Sequence, residues 1–108
     1  MTPDCVSVFV TCGTQDEAHS IARTLVEEGL AACVNILPGV TSVYRWEGEV
    51  QAEPEIVLLV KTQRRVAERV CARVEQLHSY DVPCAVILPL AGGSSGYLEW
   101  IKANTGGE

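Results

Sequence analysis

The stretch from Ala31 to Thr62, AACVNILPGVTSVYRWEGEVQAEPEIVLLVKT, constrains the rest of the chain because it reads as one long β-hairpin. Its centre, Glu47-Gly48, suits a two-residue turn, since glycine accepts the positive φ that tight hairpin turns require. Folding about that turn sets Trp46 opposite Glu49, Tyr44 opposite Gln51, Ser42 opposite Glu53 and Thr41 opposite Pro54. Pro38-Gly39 and Pro54 interrupt the arms, and proline belongs at edges and bulges, so the hairpin is expected to bend away from the main sheet there. Beyond the breaks project about six residues per arm, roughly 20 Å at the usual strand rise. Tyr44 and Trp46 fall on one face, and Val43, Val50 and Ala52 on the other. A bare ribbon of two strands is marginal in water. The expected cover is another copy of the same chain, with the hairpin as an assembly arm.

The 108 residues suit one domain, residues 1–108, with only about 60–65% of the unfolded surface buried on folding. Before the hairpin, Val6, Val8 and Val10 alternate with Ser7, Phe9 and Thr11, which predicts a strand ended by Cys12-Gly13. Thr14-Gln15-Asp16-Glu17 reads as a capping box, with Thr14 closing the first turn and Glu17 reaching back. An amphipathic helix on Ala18, Ile21, Ala22, Leu25 and Val26 follows, stopped by Gly29 with Leu30 packing back. After the hairpin, Ile56 to Val60 is apolar on both faces and reads as a central strand. A second helix is expected from about Gln63 to Leu77 on Val66, Val70, Val74 and Leu77, with Ala67 and Cys71 alongside. Then come a loop from His78 to Pro83, a strand from Cys84 to Leu90, a short helix from Tyr97 to Ala103 and a polar tail.

The order β-α-β-β-α-β-α, with right-handed crossovers, predicts an α+β fold. This is a ferredoxin-like β-α-β-β-α-β sandwich with an antiparallel sheet in strand order 4-1-3-2 and both long helices on one face. The long central hairpin and a short C-terminal helix complete it. An apolar sheet face is left open for the third helix or neighbouring subunits.

A formal net charge of −6 gives no field for phosphate, so nucleic acid is not an expected partner. Met1 to Asp4 has no basic leader, and no run approaches the roughly 20 apolar residues of a membrane span, so a cytoplasmic protein with no membrane partner is expected. Five cysteines, Cys5, Cys12, Cys33, Cys71 and Cys84, contain no C-x-x-C pair, which argues against a disulfide framework and a zinc knuckle.

The topology brings the end of the first strand and the start of the last to one sheet end. Cys12, Cys84 and His78, drawn from three segments, make a soft-metal site plausible, since thiolate and imidazole suit Cu(I) and Zn(II). Cys12, just ahead of a helix N-terminus, is expected to be more acidic than an ordinary thiol. The same residues also read as a strand-end filler, a core residue and a helix C-terminal side chain. His19 reads as surface. A metallochaperone of this fold would need C-x-x-C after the first strand, and an RNA module would need exposed aromatics in the third. Neither is present, nor is a nucleophile-base-orienter set, so no enzymatic activity is expected.

The residues also carry a resemblance. Cys33-Val34-Asn35-Ile36-Leu37-Pro38-Gly39, Thr41-Ser42-Val43-Tyr44-Arg45-Trp46-Glu47-Gly48, Val60-Lys61-Thr62, His78-Ser79-Tyr80-Asp81-Val82-Pro83 and Tyr97-Leu98-Glu99-Trp100 closely resemble the CutA divalent-cation tolerance proteins. The resemblance spans about Cys5 to Thr105. It implies a ferredoxin-like subunit in a compact homotrimer held partly by the hairpin, with a quaternary plan similar to the PII signal proteins. It implies copper or another divalent metal ion as ligand, and metal tolerance as role. The family's proposed copper ligands fall on Cys12 and His78, while its third, a Glu, falls on Cys84, a change that would make the site softer and favour Cu(I). Ser79 departs from the family's Pro. The other function the resemblance implies is a PII-like sensor or scaffold that binds a small molecule or a protein in clefts between subunits.

Overall fold

The computed structural model describes residues 4–106. Residues 1–3, part of the N-terminal stretch weighed above, and 107–108, the end of the polar tail, lie outside the described residues. In order the elements are β1 (Cys5–Cys12), α1 (Gln15–Glu27), β2 (Cys33–Trp46), β3 (Glu49–Gln63), α2 (Arg64–Leu77), β4 (Ala85–Pro89) and α3 (Ser95–Ala103). The four strands form an antiparallel sheet in the order β2-β3-β1-β4, as the connectivity predicts.

The core lies between α1 and α2 and one face of the sheet. Strand alternation sends Val6, Val8, Val10 and Cys12 to that face, where they meet Ile21 and Leu25 of α1 and Val66, Val70 and Val74 of α2. Burying a side chain of this size contributes about 1.5–3 kcal/mol. Val26, expected on the α1 stripe, is instead 43% exposed at its edge. Gly29, at φ 73°, ends α1, and the Leu30 N–H donates to the Leu25 carbonyl at 3.0 Å. The Thr62 hydroxyl donates to the Leu30 carbonyl at 2.7 Å and pins this corner to β3.

On the opposite face α3 covers only one end, with Leu98 and Ile101 packed on Cys5. Val86 and Leu88 on the same face remain exposed. The tail is not merely polar, because the Gln63 side-chain amide donates to both the carbonyl and the hydroxyl of Thr105, and the Gly106 N–H donates to the Gly29 carbonyl.

The arm has the expected turn, with Glu47 at φ 51° and Gly48 at φ 84°, and every expected pair from Thr41–Pro54 to Trp46–Glu49 is formed. Pro38-Gly39 sits in a bulge where the register shifts between Leu37 and Val40. Pro54, expected as a second break, does not interrupt β3. It lies past Ile56, the last residue of β3 paired on β1, so the strand has only one neighbour there and the missing N–H is tolerated. The projecting arm stretches the molecule to 47 × 26 × 21 Å.

Candidate metal centre

At the end of β1 two adjacent residues part company: Thr11 turns to the open face, Cys12 to the helix-covered one. Gly13 and Thr14 then lead into α1, where the Thr14 hydroxyl accepts the Glu17 N–H at 3.2 Å. The other half of the expected capping box is not made. The Glu17 carboxylate accepts the N–H of Ser79 at 2.8 Å instead, tying the start of α1 to the loop after α2.

His78 caps the C-terminus of α2 with its side chain fully buried. Its Nδ1 accepts the Tyr80 N–H at 3.1 Å, which leaves Nε2 as the protonated nitrogen, donating to the Thr11 carbonyl at 2.7 Å. Nδ1 lies 3.9 Å from Glu17 Oε2. Cys12, Glu17 and His78 each offer one donor atom within 4.8 Å of the others.

Burial, followed by the carboxylates of Glu17 and Glu55, pushes the Cys12 thiol up to about 12. This overturns the expected acidic shift: two nearby carboxylates and lost hydration outweigh the partial charge of the α1 N-terminus. A buried, protonated thiol offers no nucleophile to a substrate. A thiol, carboxylate and imidazole do form a donor set suited to Zn²⁺ or copper, provided the cation displaces the thiol proton. Metal bonds of 2.0–2.3 Å would draw the donors to about 3.3–3.8 Å from one another, a modest contraction.

Cys84, grouped with Cys12 and His78 from sequence, does not join them. It stands just before β4, one step beyond the Val10–Ala85 pair, and its thiol is turned toward the Phe9 carbonyl at 4.0 Å. Together with Phe9 and Thr11 it lines a groove of about 800 Å³ on the open face, with the sheet between it and Cys12. Glu17 takes the third place in the cluster. Its capping role accounted for it in the sequence, although the third residue of a helix that follows a strand end sits directly over that end.

Tyr80 lies between cluster and groove. Its ring centroid is 4.5 Å from that of His78, and its hydroxyl donates to Glu55 Oε2 at 2.7 Å. Burial and this hydrogen bond raise the phenol above its ordinary range. A Cβ at Gly13 would stand 3.1 Å from the Tyr80 hydroxyl oxygen, so the bare glycine makes room for the ring.

A sequence-family model described as "CutA1 divalent ion tolerance protein" matches residues 6–104. The "Divalent-cation tolerance protein CutA" of Thermus thermophilus is 50% identical over 99 residues, 92% of this chain and 96% of that protein. "Protein CutA, chloroplastic" of Arabidopsis thaliana is 44% identical over 104 residues, which cover 96% of this chain and 57% of the plant protein. Among solved structures, CutA1 from Oryza sativa superposes with a TM-score of 0.94 at 40% identity, covering 99% of this chain and 98% of that one.

Proposed function

The chain belongs to the CutA1 divalent ion tolerance family, and on that premise we propose that it binds a divalent cation, copper foremost, in the cluster of Cys12, Glu17 and His78. The observation that carries the reading is the convergence of three donor types from β1, α1 and the end of α2 within 4.8 Å. Cys12 and His78 are the ligands expected from sequence; Glu17 replaces Cys84 as the third. The cation is cargo, and the role is metal homeostasis. The cytoplasm, expected from sequence, accords with five free cysteines. Among the described residues no helix is long and apolar enough to cross a membrane.

The working form in this reading is a homotrimer. Supporting it are Val43 and Val50 on one face of the arm, 69% and 64% exposed, an apolar surface that a second copy would cover. Native mass spectrometry of protein purified without chelator reads oligomer and bound mass together. A metal-loaded trimer is expected, and a metal-free monomer overturns both parts. Competition titration with Cu(I) and Zn²⁺ should show affinity falling by tenfold or more in Cys12→Ser and Glu17→Gln but unchanged in Cys84→Ser. Equal loss in Cys84→Ser would return the third place to that residue.

The PII-like reading, a small molecule held in a cleft, has the groove on the open face in its favour, with a volume in the usual range of ligand sites. An anionic small molecule does not suit the lining, which contains no lysine, arginine or histidine.

A further inference from the structure

Two of the three donor atoms in the cluster already serve the loop that follows α2. His78 Nδ1 accepts the Tyr80 N–H at 3.1 Å, and Glu17 Oε2, 3.9 Å from that nitrogen, accepts the Ser79 N–H at 2.8 Å. Two consecutive backbone N–H groups therefore direct their partial positive charges at the imidazole and carboxylate atoms that a cation would use. His78 itself is held separately, by its backbone N–H on the Val74 carbonyl and its Nε2 on the Thr11 carbonyl. Ser79 and Tyr80 can leave without taking the histidine with them.

A neutral imidazole protonated on Nε2 has one lone pair to offer, on Nδ1, and that pair serves one partner at a time. The Nε2–H bond to Thr11, at 2.7 Å, is the kind of outer hydrogen bond that orients a histidine ligand, and it turns Nδ1 toward Glu17. The lone pair suited to a cation is thus the one that the Tyr80 N–H occupies. A cation on Glu17 also draws off the carboxylate charge that strengthens the Ser79 bond, and it repels the N–H dipole. We propose that the loop is a built-in competitor for the cluster: Ser79 and Tyr80 are latched on Glu17 and His78 in the metal-free protein, and loading a cation unlatches them. The inference rests on the cation reading above and adds a conformational consequence to it. Tyr80 carries that consequence outward, since its ring lies between the cluster and Glu55.

Amide hydrogen exchange of the full-length protein, resolved by residue with NMR, tests this in the metal-free state and with saturating Zn²⁺ or, under argon, Cu(I). Calorimetry measures binding of the same ions in parallel. On loading, the Ser79 and Tyr80 amides should exchange about tenfold faster or more. Leu30, whose N–H donates to the Leu25 carbonyl at the far end of α1, should keep its rate. An ion that binds without speeding the two loop amides overturns the latch and leaves the cation reading standing, whereas failure of both ions to bind overturns the two together. Equal acceleration at Leu30 marks general loosening and also overturns the latch. Ser79→Pro gives a second check, because it removes one tether and no donor atom of the cluster. His78 already has the extended backbone that a following proline requires, with φ −82° and ψ 146°, and circular dichroism checks that the variant is folded. Having no such bond to break on loading, it should bind Zn²⁺ several-fold more tightly than the parent. Equal or weaker binding by the folded variant means that the loop does not compete, and overturns the proposal.

Discussion

The cluster of Cys12, Glu17 and His78 and the groove stand at the same end of the sheet and differ because neighbouring residues of β1 face opposite ways. On the Cys12 side, α1 and α2 cover the donors, and burial pushes the thiol up to about 12. On the Thr11 side no element of the described residues covers this end of the sheet, and Glu55, Cys84 and Asp81 line the groove. Similar side chains, a thiol and a carboxylate each, thereby acquire different chemistry. In the covered cluster a bound cation would have to displace the thiol proton, a step that the open side does not impose. Tyr80 belongs to both, its N–H on His78 and its hydroxyl on Glu55.

The contrast is most severely tested by His78→Ala. It strips partners from the Thr11 carbonyl and the Tyr80 N–H inside the covered side, and should cost about 2–4 kcal/mol in urea unfolding. A loss below about 0.5 kcal/mol would mean that the cluster is not sealed. Next in size is the response to alkali. The folded Cys12 thiol titrates above its unfolded value of about 8.5, so its contribution is complete below that pH and is lost as pH climbs toward about 12. Thermal melts of Cys12→Val against the parent between pH 8 and 11 should show a shallower decline in the variant. Cys5, Cys71 and Tyr80, raised for the same reason, keep part of the slope. Tyr80→Phe removes one partly buried hydrogen bond and should cost about 0.5–1.5 kcal/mol by chemical denaturation. On the open side Cys84→Ser should change stability by no more than about 0.5 kcal/mol, and a larger loss would place that thiol among core groups.

Elements, strand order and arm register were legible because they rest on local chemistry: the Glu47-Gly48 turn, the Thr14 cap, Gly29, and the apolar periods of both long helices. The cluster was legible in part. Cys12 and His78 follow from topology, but which face a side chain takes at a strand end depends on a register offset of one residue, and that offset separated Cys84 from them. Glu17 was hidden by a local explanation, half of which is true. The acidity expected of Cys12 failed because a helix N-terminus was weighed without the carboxylates of Glu17 and Glu55, which only the folded chain brings near. The anchoring of Thr105 by Gln63 depends on residues 42 positions apart, and no local pattern announces it.

The bulge at Pro38-Gly39 has a consequence for how this architecture could change. From Leu37 to Val40 the first arm advances three residues while its partner advances two, from Val57 to Glu55, so one residue is surplus. Excising Gly39, with its φ of 82°, would leave each downstream pair from Val40–Glu55 to Trp46–Glu49 in place and remove only the bend. Arm trajectory and arm pairing are thus separable, one codon governing the first without touching the second. A lineage could re-aim the arm, and with it whatever the arm grips, while conserving all its contacts along the ribbon.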